Sequence, residues 1–450
     1  MRLTVFYTLL AMSLTIAAAD CDQDKPFGYC TRTSRTDAAS IYQMYGGGCY
    51  TYPIPKDFAG KVVVLKSNGQ DMRKTIEDAI ENSENNIIVL DGSNGDFVVS
   101  SNVEITTNDK TLLGINHARI RTQWYVTDDI RRALNAAGVP GMSTNGGGGT
   151  LPNGHMVREE AEYNTRKMII EMTGDHQERY RESGILSLKG CKNIIIRNIV
   201  FVGPGSIDVG GNDLISCVRG TKNCWIDHCE FMDGMDGNFD ITQKSDFHTV
   251  SWCTFSYTSR SYMHQNTNLI GSSDSETTGY LNTTFAFNWW GTGCKQRMPM
   301  ARVGKIHMLN NYFNCSGSSN CINPRKNSEF LIEGNYFDKG VKRFYKSDNA
   351  KAVTWASSNY HVENNSLGNL DSFGTTVTVP YDYTVAPNSD VPTAVMEHAG
   401  ATLNYGESTG ITSPTSAIIR QSSAIYNLAG QKVNESYKGV VIKNGKKVVQ

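Results

Sequence analysis

Carboxylates are crowded into one short stretch of this sequence. Residues 231 to 246, FMDGMDGNFDITQKSD, hold four aspartates, and among them Asp236 and Asp240 flank a junction between a turn and a strand. Asp213, in GGNDLISCVRG, has a comparable position one interval earlier, so the three side chains are candidates to lie together. Carboxylates held close need a cation or a shared proton to offset their repulsion. A set of oxygen ligands without histidine or cysteine favours calcium. The alternative to a metal site is a solvated turn, because Asp and Gly are common turn residues.

Two arginines form the second candidate cluster. In KQRMPMARVGKIH, residues 295 to 307, Arg297 and Arg302 are five positions apart, with Pro299 between them. Side chains alternate along a strand, so this odd spacing puts the arginines on opposite faces unless the chain bends at the proline. Paired guanidinium groups suit the recognition of carboxylates, and surface ion pairs are the alternative interpretation.

The elements that carry these clusters recur along the chain. From residue 190, short β-prone segments each end in a large apolar residue, and successive ends lie 23 to 35 residues apart. This period predicts an all-β parallel β-helix with inserted loops in the longer intervals, whereas leucine-rich repeats and propeller blades do not fit. The segments end at Phe201, Phe231, Phe255, Trp290, Phe313, Phe337 and Leu367.

One position of the repeat predicts a stack of polar side chains. Asparagine stands two residues before the end of four later segments, and in a solenoid these side chains would form a hydrogen-bonded ladder. In two earlier segments the same position holds Cys229 and Cys253, which would be close enough for a disulfide or would remain buried thiols. The asparagines are Asn288, Asn311, Asn335 and Asn365.

The other segments predict the domain organisation. Residues 1–19 have the pattern of a secretory signal peptide, and residues 20–400 form one large domain. A helix within 71–83 caps the open end of the solenoid, and 121–180 is an insertion with a helix and a glycine-rich loop. Residues 401–450 offer two strand pairs. They resemble the small C-terminal tails of exported bacterial polysaccharide-degrading enzymes, which suggests secretion or attachment.

Composition excludes some partners. The 43 basic and 44 acidic residues give no basic field for nucleic acid or anionic lipid. After the signal region, no apolar run reaches the roughly 18 residues of a membrane span. We therefore expect a secreted, extracellular and monomeric protein.

The eleven cysteines of an exported chain suggest disulfides, and the odd count leaves at least one thiol over. Cys315 and Cys321 bracket a short loop and are the best pair, whereas Cys21, Cys30 and Cys49 are candidates to pin the N-terminal region. No spacing matches a structural zinc motif, so such a site is not predicted.

The order of the motifs resembles that of the pectate lyase family, polysaccharide lyase family 1. The similarity covers about residues 85 to 370 and rests on WIDH, DGNFD, NLIGSSDS and RMPMAR in succession. It implies a right-handed parallel β-helix, a requirement for calcium, and β-elimination of polygalacturonate to 4,5-unsaturated products. Related pectin lyases, which act on methylated polymer without calcium, have arginine in the DGxxD region, so unesterified pectate is the expected substrate.

The resemblance also implies roles for the two clusters. Asp213, Asp236 and Asp240 fall on the calcium-binding aspartates of the family. Arg297 falls on the catalytic base, and Arg302 on the arginine that contacts the substrate carboxylate. Arginine has a reference pKa above about 12, so a base of this kind predicts an alkaline optimum, with calcium and Arg302 favouring its neutral form.

One family feature is missing from the sequence. A lysine commonly precedes LIG in the family and binds substrate carboxylate, but here the segment reads SRSYMHQNTNLIG, with Asn266 near that place. Arg260 or His264 are the alternatives for this contact, and Lys244 is a further candidate for substrate binding. His228, in WIDH, is expected to be structural.

Three other functions stay open at this point. A polygalacturonase-type hydrolase would use paired aspartates as acid and base without calcium. A pectin lyase would act on methylated pectin and would be insensitive to chelators. A non-enzymatic carbohydrate-binding β-helix would need neither Arg297 nor the paired aspartates.

Overall fold

The computed structural model divides the chain into two compact units, Met1–Gly406 and Glu407–Gln450. The signal region predicted for residues 1–19, the glycine-rich loop, Cys21 and Cys49 lie outside the described residues. Those described are 27–31, 60–136, 182–206, 211–261, 264–363, 365–366, 370, 372–403, 425–427, 432–433, 440–443 and 446–449.

Three sheets of stacked parallel strands build the first unit, so the predicted parallel β-helix is confirmed. Each coil of the chain contributes one strand to each sheet in turn, and strands are numbered in chain order. The first sheet has ten strands: β1 (Lys61–Lys66), β2 (Asn85–Asp91), β5 (Lys110–Ile115), β8 (Lys192–Arg197), β11 (Lys222–Asp227), β14 (His248–Ser251), β17 (Thr283–Ala286), β20 (Lys305–Leu309), β23 (Glu329–Glu333) and β25 (Ala352–Trp355).

The second and third sheets complete the coil. The second has seven strands: β4 (Val103–Ile105), β7 (Leu186–Lys189), β10 (Ile215–Val218), β13 (Phe239–Ile241), β16 (Leu269–Ile270), β19 (Met300–Ala301) and β22 (Asn323–Pro324). The third has ten: β3 (Phe97–Val99), β6 (Arg119–Thr122), β9 (Val200–Val202), β12 (Glu230–Met232), β15 (Thr254–Ser256), β18 (Trp289–Trp290), β21 (Tyr312–Phe313), β24 (Tyr336–Phe337), β26 (Tyr360–His361) and β27 (Asn365–Ser366), of which β27 alone pairs antiparallel.

Aromatic side chains fill the interior of the later coils. The large residues that end the repeated segments are register partners in the third sheet, from Phe201 to Phe337, and their rings stack with centroids 4.7 to 5.4 Å apart. All are completely buried, and each such side chain stabilises the fold by about 1.5–3 kcal/mol through the apolar area it buries. Leu367 lies outside the described residues.

The predicted asparagine ladder is present, with one correction. The side-chain nitrogens of Asn288, Asn311 and Asn335 each donate to the next asparagine oxygen up the stack, at 2.9 to 3.1 Å. The fourth member is Asn359 and not Asn365. The strand of this last coil is Tyr360–His361, so the position two before its end falls on residue 359, whereas Asn365 lies in the antiparallel strand β27.

Helix α1 (Arg73–Glu81) confirms the predicted capping helix. Its apolar face, with Ile76 and Ile80, joins the core of the solenoid and closes its first coils. Helix α2 (Asp128–Ala136) lies where the insertion was predicted to be helical. Helix α3 (Val391–His398) packs Val391 and Val395 against Trp252 and Tyr312 on the outside of the third sheet.

Two short 3-10 helices complete the elements of the first unit, Gly28–Thr31 and Gly92–Asn94. Among the described residues, no helix is long and apolar enough to cross a membrane. In the second unit, the strands β28 (Ile425–Asn427), β29 (Lys432–Val433), β30 (Val440–Lys443) and β31 (Lys446–Val449) form an antiparallel sheet, as the two predicted strand pairs require.

The nine described cysteines are buried free thiols. The Sγ atoms of Cys315 and Cys321 are 3.8 Å apart, so the proposed disulfide is not formed here and stays a prediction. Cys253 lies beside Cys229 in the stack, with its Sγ 3.5 Å from the Cys229 amide nitrogen, and its own amide donates to Asn288. The two cysteines therefore continue the ladder as thiols.

Candidate active site

Strands β10 and β13 of the second sheet position two of the predicted aspartates. Ser216 and Asp240 are register partners, and the residues on either side of them point into the core. Because side chains alternate along a strand, Ser216 and Asp240 face outward. The Ser216 hydroxyl donates to Oδ2 of Asp213 at 3.0 Å, which brings this carboxylate over the same face of the sheet.

Gly237, the glycine of DGNFD, explains how the two carboxylates approach one another. A Cβ at this position would lie 2.8 Å from Oδ1 of Asp213 and 3.0 Å from Oδ1 of Asp240. Real Cβ atoms almost never come so close to another heavy atom, so only glycine leaves the space in which the carboxylates converge.

The electrostatics of this cluster are unfavourable for three negative charges. Burial, with the charges of Asp240 and Asp236, raises the pKa of Asp213 well above its ordinary value. Burial, with the charge of Asp236, raises the pKa of Asp240 to about 7. The nearby guanidinium group of Arg297 opposes both shifts. A cation placed among the carboxylates would relieve this repulsion.

The donor atoms fit a calcium ion. Oδ1 of Asp213 is buried and has no hydrogen-bond partner in the described part of the chain. A buried unpartnered oxygen is unusual in a native structure and calls for an ion or a water to satisfy it. The three side chains offer only hard carboxylate oxygens, which calcium prefers.

Asp236 is the most accessible of the three aspartates, with 42% of its side chain exposed. Its Oδ1 lies 3.0 Å from Nε2 of His264, and Nδ2 of Asn266 lies 2.8 Å from the same imidazole nitrogen. Of the two residues named above as alternatives for the lysine contact, His264 is therefore the one with a described contact to the acidic cluster.

Arg297 lies at a break in the strand pattern. Its backbone has a φ of 61°, in the left-handed region, and the next peptide bond but one, Met298–Pro299, is cis. Its carbonyl accepts from the Asn268 amide at 2.7 Å, one coil earlier. The irregular backbone removes the alternation that would have put Arg297 and Arg302 on opposite faces.

Arg302 is held by the loop of the LIGSSD motif. Its Nε is 3.0 Å from Oδ1 of Asp274, and its Nη1 donates to the Gly271 carbonyl at 2.8 Å. Lys326 binds the other oxygen of Asp274 at 3.0 Å. Burial, followed by the charges of Arg325 and Arg297, lowers the pKa of Arg302. The motif therefore positions this arginine, a role that its spacing alone did not reveal.

Lys244 and Arg260, the other residues predicted to bind substrate, have no described contact with the three aspartates of the cluster. Lys244 is exposed on the turn that follows β13. Arg260 has its Nη1 3.4 Å from the Gly203 carbonyl and its guanidinium group 5.3 Å from the centroid of the Tyr125 ring.

His228 is completely buried, with Nδ1 2.6 Å from Oδ2 of Asp227. That same oxygen accepts from Nε of Arg197 at 2.8 Å. This buried ion-pair network agrees with a structural role for the WIDH motif.

Comparison with known proteins adds the family to this geometry. The family model described as pectate lyase matches residues 153–404. The chain belongs to the pectate lyase family. Pectate lyase A of Aspergillus niger is 34% identical over 235 residues, and that of Emericella nidulans is 33% identical over 235 residues. The matches span 49% of this chain and 66% and 65% of those relatives, slightly less than two thirds of their length.

Solved structures agree on the fold of this pectate lyase family member. A pectate lyase bound to a hexasaccharide has a TM-score of 0.50 at 18% identity, covering 84% of this chain and 97% of its own. A pectate lyase studied for substrate specificity and anti β-elimination has a TM-score of 0.50 at 17% identity, covering 85% and 99%. The resemblance in the motifs is thus confirmed at the level of family and fold.

Proposed function

We propose that this chain is a secreted pectate lyase that cleaves unesterified polygalacturonate by calcium-assisted β-elimination. The observation that carries the proposal is the convergence of the Asp213 and Asp240 carboxylates over Gly237, with Asp236 and Arg297 near enough to act on them electrostatically. A cluster of this kind suits a cation, and a guanidinium group beside it suits an acidic polymer. The pectate lyase relatives and the apolar N-terminal segment support the activity and the secretion.

Asp213, Asp236 and Asp240 would hold the calcium ion. When bound, the ion would supply a positive charge that polarises the uronate carboxylate and makes the C5 hydrogen more acidic. Gly237 keeps the space open for this arrangement because a side chain there would collide with two of the carboxylates.

The two arginines would act on the substrate. In its neutral form, the guanidine group of Arg297 would take the proton from C5, and the electron pair of that bond would form a C4–C5 double bond as the C4–O bond breaks. The saccharide that departs through this oxygen would take a proton from water, and the sugar that lost the C5 hydrogen would keep the 4,5-unsaturation. Arg302 would donate a hydrogen bond to the uronate carboxylate and stabilise the negative charge that develops there. Among the described residues, the partners of the Arg302 guanidinium group are Asp274 at Nε and Gly271 at Nη1, so Nη2 would make this contact.

The test follows the ultraviolet absorbance of unsaturated product from polygalacturonate at alkaline pH. We expect absorbance that requires calcium, disappears with excess chelator and is lost in Arg297→Ala. Arg119→Ala is the matched control, because Arg119 is an exposed arginine of the third sheet paired with Asp96. Its activity should equal that of the wild type.

The other functions give different signals in the same assay. New reducing ends without absorbance would identify a hydrolase. Absorbance from methylated pectin that persists with chelator would identify a pectin lyase. Binding of the polymer with neither signal would identify a carbohydrate-binding solenoid.

A further inference from the structure

Two thiols and one imidazole meet inside the solenoid, outside the site described above. Cys217 is the last inward-facing residue of β10, and Cys224 lies on β11, which follows after a short turn. His248 begins β14, one coil later, and stacks on Cys224, whose amide nitrogen lies 3.4 Å from the ring Nδ1. The three donor atoms lie within 4.8 Å of one another, and all three residues are completely buried.

We propose that Cys217, Cys224 and His248 bind a zinc ion within the β-helix. Sulfur and imidazole donors are ligands that zinc selects, whereas calcium prefers oxygen, and these side chains would fill three of the four positions that zinc normally has. The site is therefore distinct in chemistry from the carboxylate cluster, and it does not depend on the proposed function.

The state of His248 supports this assignment. Its Nδ1 has one long contact, 3.4 Å from the Cys224 amide nitrogen, and the Thr221 backbone is a second polar neighbour of the ring. With the proton on Nε2, the lone pair of Nδ1 has only this long contact, so it is available to bind a metal ion.

Charge balance favours a divalent ion. Zinc entering the site would displace the two thiol protons, and two thiolates with Zn²⁺ give a complex of zero net charge. A monovalent ion such as Cu⁺ would leave one negative charge in an apolar interior, at a high desolvation cost. The surroundings are apolar, since both cysteines belong to the core formed by residues such as Ile194, Ile241 and Leu188.

The rest of the chain contains a natural control for this cluster. Cys229 and Cys253 are also buried and stacked in neighbouring coils, but the described hydrogen-bond partners of their sulfurs are backbone carbonyls and, for Cys253, the Cys229 amide. A double Cys229→Ser, Cys253→Ser variant removes two buried thiols without removing a ligand of the proposed site.

The experiment measures metal in the full chain by mass spectrometry after dialysis of the native protein against chelator. We expect about one zinc ion per chain in the wild type and in the Cys229→Ser, Cys253→Ser control. We expect less than about a tenth of that amount in Cys217→Ser, Cys224→Ser and His248→Gln. Because a core variant can fail to fold, the wild type is also refolded with Co²⁺. Thiolate-to-cobalt absorption that zinc abolishes is the expected signature.

Several results would overturn the proposal. They are a metal-free wild type with no cobalt signature, zinc retained in Cys217→Ser, copper in place of zinc, or a tryptic cross-link between Cys217 and Cys224. The last would show a disulfide. Calcium is measured in the same samples, and lyase activity is followed separately, so failure of the zinc site and failure of the proposed function are distinguishable.

Discussion

Nε2 of His264 lies 3.0 Å from Oδ1 of Asp236. This contact orients the one aspartate of the cluster that burial does not fix, because Asp236 is the most exposed of the three.

We expect His264→Ala to weaken calcium binding by about two- to tenfold, since one hydrogen bond contributes about 0.5–1.5 kcal/mol. Isothermal titration calorimetry of the calcium-free protein measures the change. His117→Ala, at an exposed turn before β6, is the control and should leave the affinity unaltered. An unchanged affinity in His264→Ala would show that Asp236 needs no support from the imidazole.

Gly237→Ala should weaken calcium binding at the same site by steric collision alone. The new Cβ would meet carboxylate oxygens at 2.8 and 3.0 Å, so Asp213 or Asp240 must move away. We expect calcium affinity to fall at least about tenfold, equivalent to about 1.4 kcal/mol. Gly291→Ala is the matched control, because its Cβ would find its nearest neighbour at 3.4 Å, an ordinary contact. Equal losses in the two variants would contradict the steric argument.

The calcium-free protein should lose stability as the pH rises. The pKa of Asp240 is raised to about 7 in the folded state, above its ordinary value of about 4. Between these values the folded chain binds more protons than the unfolded chain, so the free energy of unfolding falls with increasing pH. We expect Tm to decrease across this window in the wild type and to decrease less in Asp240→Asn.

Calcium should reverse this trend, because a bound cation favours the ionised carboxylates. Differential scanning calorimetry with and without calcium makes the comparison. Asp382→Asn, which changes an aspartate outside the cluster, controls for the loss of one charge. A wild type whose Tm without calcium is flat from about pH 4 to about pH 7 would contradict the coupling of the carboxylates.

Much of the site could be predicted from the sequence because its residues lie in short motifs. The stacking of Asp213 near Asp240 follows from the period of the coils, and the proline between Arg297 and Arg302 indicated an irregular backbone. Alternation along a strand could not predict the left-handed conformation of Arg297, which depends on its tertiary contacts. The ion pair of Arg302 with Asp274 could not be predicted from the sequence either, because it joins residues of neighbouring coils.

The fold could be predicted from its period, and the errors arise where the period changes. The last coil ends at His361, so the ladder continues to Asn359, whereas a pattern based on large apolar ends chose Leu367 and hence Asn365. The proximity of Cys217 and His248 could not be predicted from the sequence, for a related reason. Zinc motifs are recognised by local spacing, but here coil stacking brings the residues together.

The asparagine ladder should contribute a large part of the stability of the later coils. Nδ2 of Asn311 donates to the Phe285 carbonyl and to Asn335, and its Oδ1 accepts from Asn288. Asn311→Ala would leave the buried Asn288 amide without its acceptor, at a cost of about 1–3 kcal/mol, whereas Nδ2 of Asn288 would still donate to Val250 and Oδ1 of Asn335 would still accept from the amide of residue 311.

We expect the free energy of unfolding of Asn311→Ala to drop by about 2–4 kcal/mol. Chemical denaturation of this variant beside Asn68→Ala, which changes an exposed asparagine, measures the difference. A loss below about 0.5 kcal/mol in Asn311→Ala would mean that water replaces the side chain in the stack. The ladder would then be a consequence of the coil geometry, with the aromatic stack of Trp290, Phe313 and Phe337 sufficient to hold the coils together.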